Sequence, residues 1–328
     1  MSYRRAECRV FNLSFGSLRA DPIRFSWRSQ ELTALTQFEV EFSAELLNNA
    51  ELFNAENQLT AFHSLENKQN LGHNFRAAAQ TGNLHVTYPD FPARYTYGFK
   101  ERGNLFLSEV VARILSFFQR RRVLFSTAQF TSSEHFILGM PAFLAAEWVD
   151  SVSFGPPVID FQDTDAALTS ALSTYEALSE ECKGRVQMLL HRYNELLNLP
   201  YVHERVEGLW RITEALGHSV PLTTQARDEY TRLLPVCGVK GSRNLERTVS
   251  ALVHYGISYR DEDVKDSFKI RNRSMHEYLD PRLLSDSTLP QSFNFLHRCV
   301  DQAIAKELGL SAFVLKDATF WIFQNRVL

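Results

Sequence analysis

Lys269-Ile270-Arg271-Asn272-Arg273-Ser274-Met275-His276-Glu277-Tyr278 places a permanent cation and a titratable imidazole five residues apart, with an asparagine directly after the arginine. Read as part of a helix from about Glu262 to Asp280, it aligns Val264, Phe268, Met275 and Leu279 at the spacings of a buried stripe, and Arg271 falls inside that stripe. A buried guanidinium without a counter-charge is strongly destabilising. Either Arg271 is ion-paired within the fold, with Glu214 or Glu246 as partner, or the stripe opens onto a cleft or a second subunit. His276 stands one turn after Asn272, within reach of its amide, and near a helix end that favours a cation in any case.

Phe268 to His276 resembles the Arg-polar-x3-His motif of HEPN domains, in particular the RNase-type HEPN proteins of the Apea-like kind found in bacterial anti-phage systems. Val206-Glu207-Gly208-Leu209-Trp210-Arg211-Ile212-Thr213-Glu214-Ala215-Leu216 is similar to the amphipathic helix, bearing a Trp and a Glu, that precedes the motif helix in those domains. The resemblance spans about residues 170–310. It implies catalytic roles for Arg271, Asn272 and His276, and it makes the flanking Lys269 and Arg273 candidates for substrate binding. It further implies a homodimer whose two motifs face one RNA phosphate, a reaction without metal or cofactor, and a toxin or anti-phage effector. Two other pairs satisfy the looser family spacing, Arg247 with His254 and Arg211 with His218. In the second, Gly217 reads as a helix stop before the histidine. Of the three pairs, only Arg271–His276 has both the Arg-Asn start and the place near the last helices of the domain that the family favours. The alternative is a non-catalytic HEPN-type protein that binds RNA or nucleotide as a scaffold.

An arginine and a histidine suit RNA cleavage on chemical grounds. When the neighbouring 2′-OH attacks phosphorus, the 2′-O–P bond forms, the P–O5′ bond breaks, one proton leaves the 2′ oxygen and one reaches the 5′ oxygen. An imidazole that titrates near neutrality can move those protons. A planar guanidinium can bind two phosphate oxygens at once as charge builds. The products are a 2′,3′-cyclic phosphate and a 5′-OH.

Composition narrows the alternatives. With 45% hydrophobic and 22% charged residues over 328, the chain reads as an ordinary globular protein. A net charge of −3 argues against a protein that coats nucleic acid nonspecifically. Its 25 phenylalanines recur at core-like positions and read as packing, not as stacking platforms for bases. Cys8, Cys182, Cys237 and Cys299 are scattered, which indicates neither a zinc knuckle nor a disulfide framework, and no histidine set has ligand spacing. No apolar run is long enough to span a membrane and no secretory leader is evident, so the expected compartment is the cytoplasm.

Two domains are expected, and the fold class expected is α+β. Residues 1–160 read as a β-rich sensor or regulatory domain able to receive a trigger or partner, because Arg9–Phe15, Ile23–Trp27, Phe38–Phe42 and Leu84–Tyr88 alternate apolar and polar side chains. Between the last two of these, Glu45 to Gly82 is rich in Asn, Gln, Glu and Ala with weak periodicity, which fits a helix or a long loop. Leu105–Arg122 is an exception, an amphipathic helix whose final Gln119-Arg120-Arg121-Arg122 suits a solvated helix end. After the Phe154-Gly155-Pro156-Pro157 turn, residues 161–328 read as an all-α, HEPN-like bundle. Its expected helices are Ala166–Cys182, Val186–Asn198, Val202–Gly217, Thr224–Leu234, Asn244–Tyr255, the motif helix and Pro290–Leu310. Gly238-Val239-Lys240-Gly241-Ser242-Arg243 is a basic turn that could cradle a phosphate but reads more simply as a helix connection.

Overall fold

The computed structural model describes residues 3–11, 23–28, 35–42, 80–89, 110–120, 122–130, 135–136, 157–197, 199, 202–276 and 286–318; for the strands and for residues 161, 275 and 276 it describes the backbone alone. Eight helices are described. They are α1 (110–119), α2 (Thr164–Ala177), α3 (Glu180–Leu196), α4 (Val202–His218), α5 (Thr224–Val236), α6 (Arg243–Tyr255), α7 (Asp261–His276) and α8 (Leu289–Glu307). Most of the Asn- and Gln-rich stretch, residues 45–79, lies outside the described residues, as do the C-terminal 319–328 and the end of the motif helix, Leu279 and Asp280 included.

The α+β expectation is corrected. Across 110–318, every regular element whose side-chain burial is described is a helix, and α1 lies inside the segment read as a β-rich domain. The physical reason is visible in α1 itself. Val110, Val111, Ile114, Leu115, Phe117 and Phe118 are all at most 2% exposed, so the helix read as amphipathic is a core helix. Backbone pairing is described for six strands, Tyr3–Phe11, Ile23–Arg28, Leu35–Phe42, Gln80–Pro89, Leu124–Phe130 and His135–Phe136, all antiparallel. The end of α1 brings a second correction: Arg120, expected in solvent, is fully buried and adopts a left-handed backbone at φ 46°.

The chain divides into two compact units. One holds Met1–Val152 with Ile159–Gln187, the other Ser153–Val158 with Met188–Leu328. In the first, Ser116 Oγ, set in α1, donates to Ala112 O and accepts from Val123 N at 2.8 Å, tying the helix to the chain that leaves it.

The second unit is organised around α4, which packs on α6, α7 and α8. Three neighbours are possible because Val206, Leu209, Trp210, Ile212, Thr213, Leu216 and Gly217 are all buried, covering more than one stripe of the helix. The surrounding helices begin and end on recognisable caps. Thr223 Oγ1 accepts from Ala226 N at the start of α5, and Ser242 Oγ accepts from Leu245 N at the start of α6. Gly256, at φ 69°, closes α6 in the left-handed conformation while Ile257 N returns to Leu252 O at 2.9 Å. The basic turn after α5 is used the same way. Gly238 N and Val239 N bond the carbonyls of Pro235 and Leu234, and Ser242 N donates to the Tyr230 hydroxyl, so these amides finish one helix and start the next. Among the described residues no helix is long and apolar enough to cross a membrane.

Candidate functional site

The motif helix α7 is anchored at both described ends. At its start Asp263 Oδ2 accepts from Arg260 N at 3.1 Å, while Oδ1 accepts from Arg260 Nη2 and from Gln291 Nε2 of α8, each at 2.8 Å. Burial raises the Asp263 pKa, but these donors outweigh it and hold the carboxyl below its ordinary value. The folded state therefore protonates at lower pH than the unfolded chain, so the stability this carboxylate contributes is complete above the unfolded value near ~3.9 and is lost as pH falls through the folded one. We expect Asp263→Asn to flatten the decline of the thermal midpoint between pH 5 and pH 3; an unchanged decline removes Asp263 as its source. Further along, Ser274 Oγ donates to Glu207 Oε2 at 2.5 Å, and the Trp210 and Phe268 rings lie 5.7 Å apart, so α4 and α7 are joined by polar and aromatic contacts together.

Arg271 lies where its spacing places it, on the buried stripe with Val264, Ser267, Phe268 and Ser274. Its side chain is 14% exposed. Nη1 donates to Asn272 Oδ1 at 3.1 Å, and Nη2 stands 3.8 Å from Glu214 Oε2. With the Asn244 amide oriented to suit its neighbours, its oxygen accepts from Arg271 Nη2 at 2.6 Å and its nitrogen donates to Glu214 Oε1 at 2.7 Å. Glu214 is thus the in-chain counter-charge that the stripe requires, as one of the two sequence alternatives has it; Glu246 is not found in this role.

The remaining motif residues divide between two places. Asn272 joins Arg271. Arg273 does not: its Nη1 pairs with Asp286 Oδ2 at 2.5 Å, tying α7 to the turn before α8. Burial opposes ionisation of Asp286, but the Thr288 hydroxyl and amide, then Arg273 and Lys269, overcome it and lower its pKa. Lys269 is exposed and adds to the positive field at Asp286, while Arg273 is held by Asp286 and not by the Arg271 cluster. For His276 the helix backbone is described and the side chain lies outside the described residues.

The competing pairs are also placed. Arg211 bonds Glu207 at 2.5 Å on the surface, and His218 is exposed. Gly217 is not the helix stop expected, since α4 continues to His218; it is a point of close approach, where an added Cβ would stand 1.6 Å from Arg247 O of α6. Arg247 and His254 are two helical turns apart, about 10 Å along the axis. His254 is exposed against Tyr255, whereas Arg247 Nη1 reaches to 3.8 Å from Glu214 Oε1. Three helices thus converge on one polar cluster, with Glu214 from α4, Asn244 and Arg247 from α6, and Arg271 and Asn272 from α7. Its formal charge is +1.

No family model, curated protein or solved structure matches this chain. What the cluster can do is therefore argued from its own chemistry. It presents two guanidinia, one carboxylate and two amides, a set suited to receiving an oxyanion and ill suited to holding a metal. Among the described residues no group of three or more His, Cys, Asp or Glu side chains is placed to hold a metal ion.

Asn244 had no sequence signal, because its part depends on how α6 crosses α4. Glu207 as the partner of Ser274 was equally hidden.

Proposed function

We propose that the Arg271 cluster is the phosphate site of a metal-independent endoribonuclease, in which Arg271 meets the scissile phosphate, Asn272 orients it and His276 moves protons to and from the 2′ and 5′ oxygens. One observation carries the proposal. Arg271 is held in a fixed pose by Asn272 and Asn244, yet its carboxylate lies 3.8 Å away and is shared with a second arginine, so the cluster keeps a positive charge in a mostly buried setting. The resemblance of residues 268–276 to the HEPN motif supports the same chemistry and the role of toxin or anti-phage effector. The proposal includes a second copy of the chain, since one arginine and one histidine supply half of such a site. That copy is not required to cover the apolar stripe, because Val264 and Phe268 are already buried within the unit.

Arg271→Ala and Arg271→Lys separate this reading from the non-catalytic one, which the in-chain carboxylate Glu214 favours. In total RNA with excess chelator the wild-type chain should cleave, leaving 2′,3′-cyclic phosphate ends. Both variants should lose most activity, because an ammonium cannot offer two parallel donors to a phosphate face. If the lysine variant cleaves like wild type and only the alanine variant loses thermal stability, Arg271 is a structural counter-charge. Sedimentation as a monomer at micromolar concentration, with cleavage retained, removes the second copy from the proposal.

A further inference from the structure

Arg247 stands outside the motif, yet it ends on the same carboxylate. It lies one turn after Asn244 on α6, so the two side chains share a helix face. Its Nη1 is 3.8 Å from Glu214 Oε1, as Arg271 Nη2 is from Oε2, and neither separation is a hydrogen bond. A structural ion pair needs one cation. Here two guanidinia from different helices flank one carboxylate, and their mutual repulsion is relieved only in part by it. The exposure is graded. Arg271 and Glu214 are 14% and 15% exposed, while Arg247 is 26% exposed, so Arg247 is the rim of the cluster and the most accessible of its charges.

Resting on the nuclease reading, we infer that Arg247 is a second substrate-binding residue, which contacts the phosphate beside the scissile one on a single-stranded RNA. Glu214 then acts as a positioning residue that keeps the two guanidinia apart, so that they meet successive phosphates instead of one. Gly217 serves the same arrangement from α4: without a side chain there, the carbonyl of Arg247 can come close enough for Glu214, one turn earlier on α4, to reach the Arg247 guanidinium.

The test uses the full chain and a 2′-O-methyl RNA oligonucleotide, which keeps the phosphates and removes the nucleophile, so that binding is measured apart from cleavage. Arg247→Gln should weaken binding by about tenfold at low salt, the loss of one charge-assisted contact. It should also reduce the slope of log affinity against log salt by about 0.7, one phosphate fewer on a single strand. Arg247→Lys should restore the slope, since this contact needs charge more than a fork. An unchanged slope in Arg247→Gln, with a lower thermal midpoint, overturns the inference and leaves Arg247 a counter-charge to Glu214. If Arg247→Gln lowers the slope and Arg247→Lys restores it but the wild type cleaves no RNA, the nuclease reading fails and Arg247 stands as a phosphate contact. If the wild type binds no oligonucleotide, the inference fails with it.

Discussion

His276→Ala should abolish the proposed RNA cleavage and leave the fold in place. The expected loss is about 10²–10⁴-fold, the range supplied by a positioned acid or base. The prediction of an unchanged fold rests on the anchors at Asp263, Phe268 and Ser274, which come before His276 and hold the helix to α4 and α8. Replacing the imidazole should remove the proposed proton transfer while those contacts stay in place. The measurement is a cleavage rate on RNA together with a thermal midpoint. Wild-type cleavage by a folded His276→Ala variant ends the assignment, and with His254 exposed and two turns from Arg247, the test then passes to His254→Ala.

Gly217→Ala should be the most destabilising small substitution in the second unit. A methyl group would overlap the Arg247 carbonyl at 1.6 Å, and both partners are helix backbone, so no side chain can swing away. Overpacking of this sort costs about 1–3 kcal/mol or more. Alanine gains about 1 kcal/mol over glycine in helix propensity, which offsets part of the loss. A net loss of about 2 kcal/mol lowers the midpoint by roughly 4–8 °C in a domain of this size. Gly184→Ala is the control with opposite sign. That glycine sits exposed inside α3 with nothing within 4 Å of an added Cβ, so the propensity gain should appear undiminished. Equal stabilisation by both changes would mean that α4 and α6 do not approach as described. Because Glu214 and Arg247 meet across the same crossing, Gly217→Ala should also weaken oligonucleotide binding.

The helices of the second unit were legible where periodicity and caps agree. Val202 and Thr224 start their helices as read, and Ser242 caps α6 next to the expected start at Asn244. Failures came where one local signal hid another. The run Ala166–Cys182 reads as one helix, but the chain breaks at Leu178, which is extended, and restarts with Ser179 Oγ accepting from Cys182 N. Alanine and glutamate on both sides favour helix and mask the cap. The helix expected from Val186 begins at Glu180, so it runs through Gly184, a single exposed glycine of the kind a helix tolerates. Arg271 on a buried stripe was legible because spacing alone dictates it. Its contact with Asn244, and the gathering of Arg247 onto Glu214, were not, since they depend on helix crossings that no spacing within one helix encodes. The same limit applies to Arg273, whose partner Asp286 lies beyond the motif helix.

The second unit takes its chain in two pieces, Ser153–Val158 and then everything from Met188, with a backbone hydrogen bond of 2.9 Å from Lys316 N to Val158 O closing the circuit. On the ribosome the first piece emerges long before its partner, and it has to wait while residues 159–187 and most of the helices are made. A gene trimmed to begin at 160, just after the Gly-Pro-Pro sequence, would discard that early piece and keep residues 160–187, which belong to the other unit. Circular permutation is the better route to an isolated unit, with residues 153–158 moved behind Lys316 so that the early piece is synthesised next to the residue it binds.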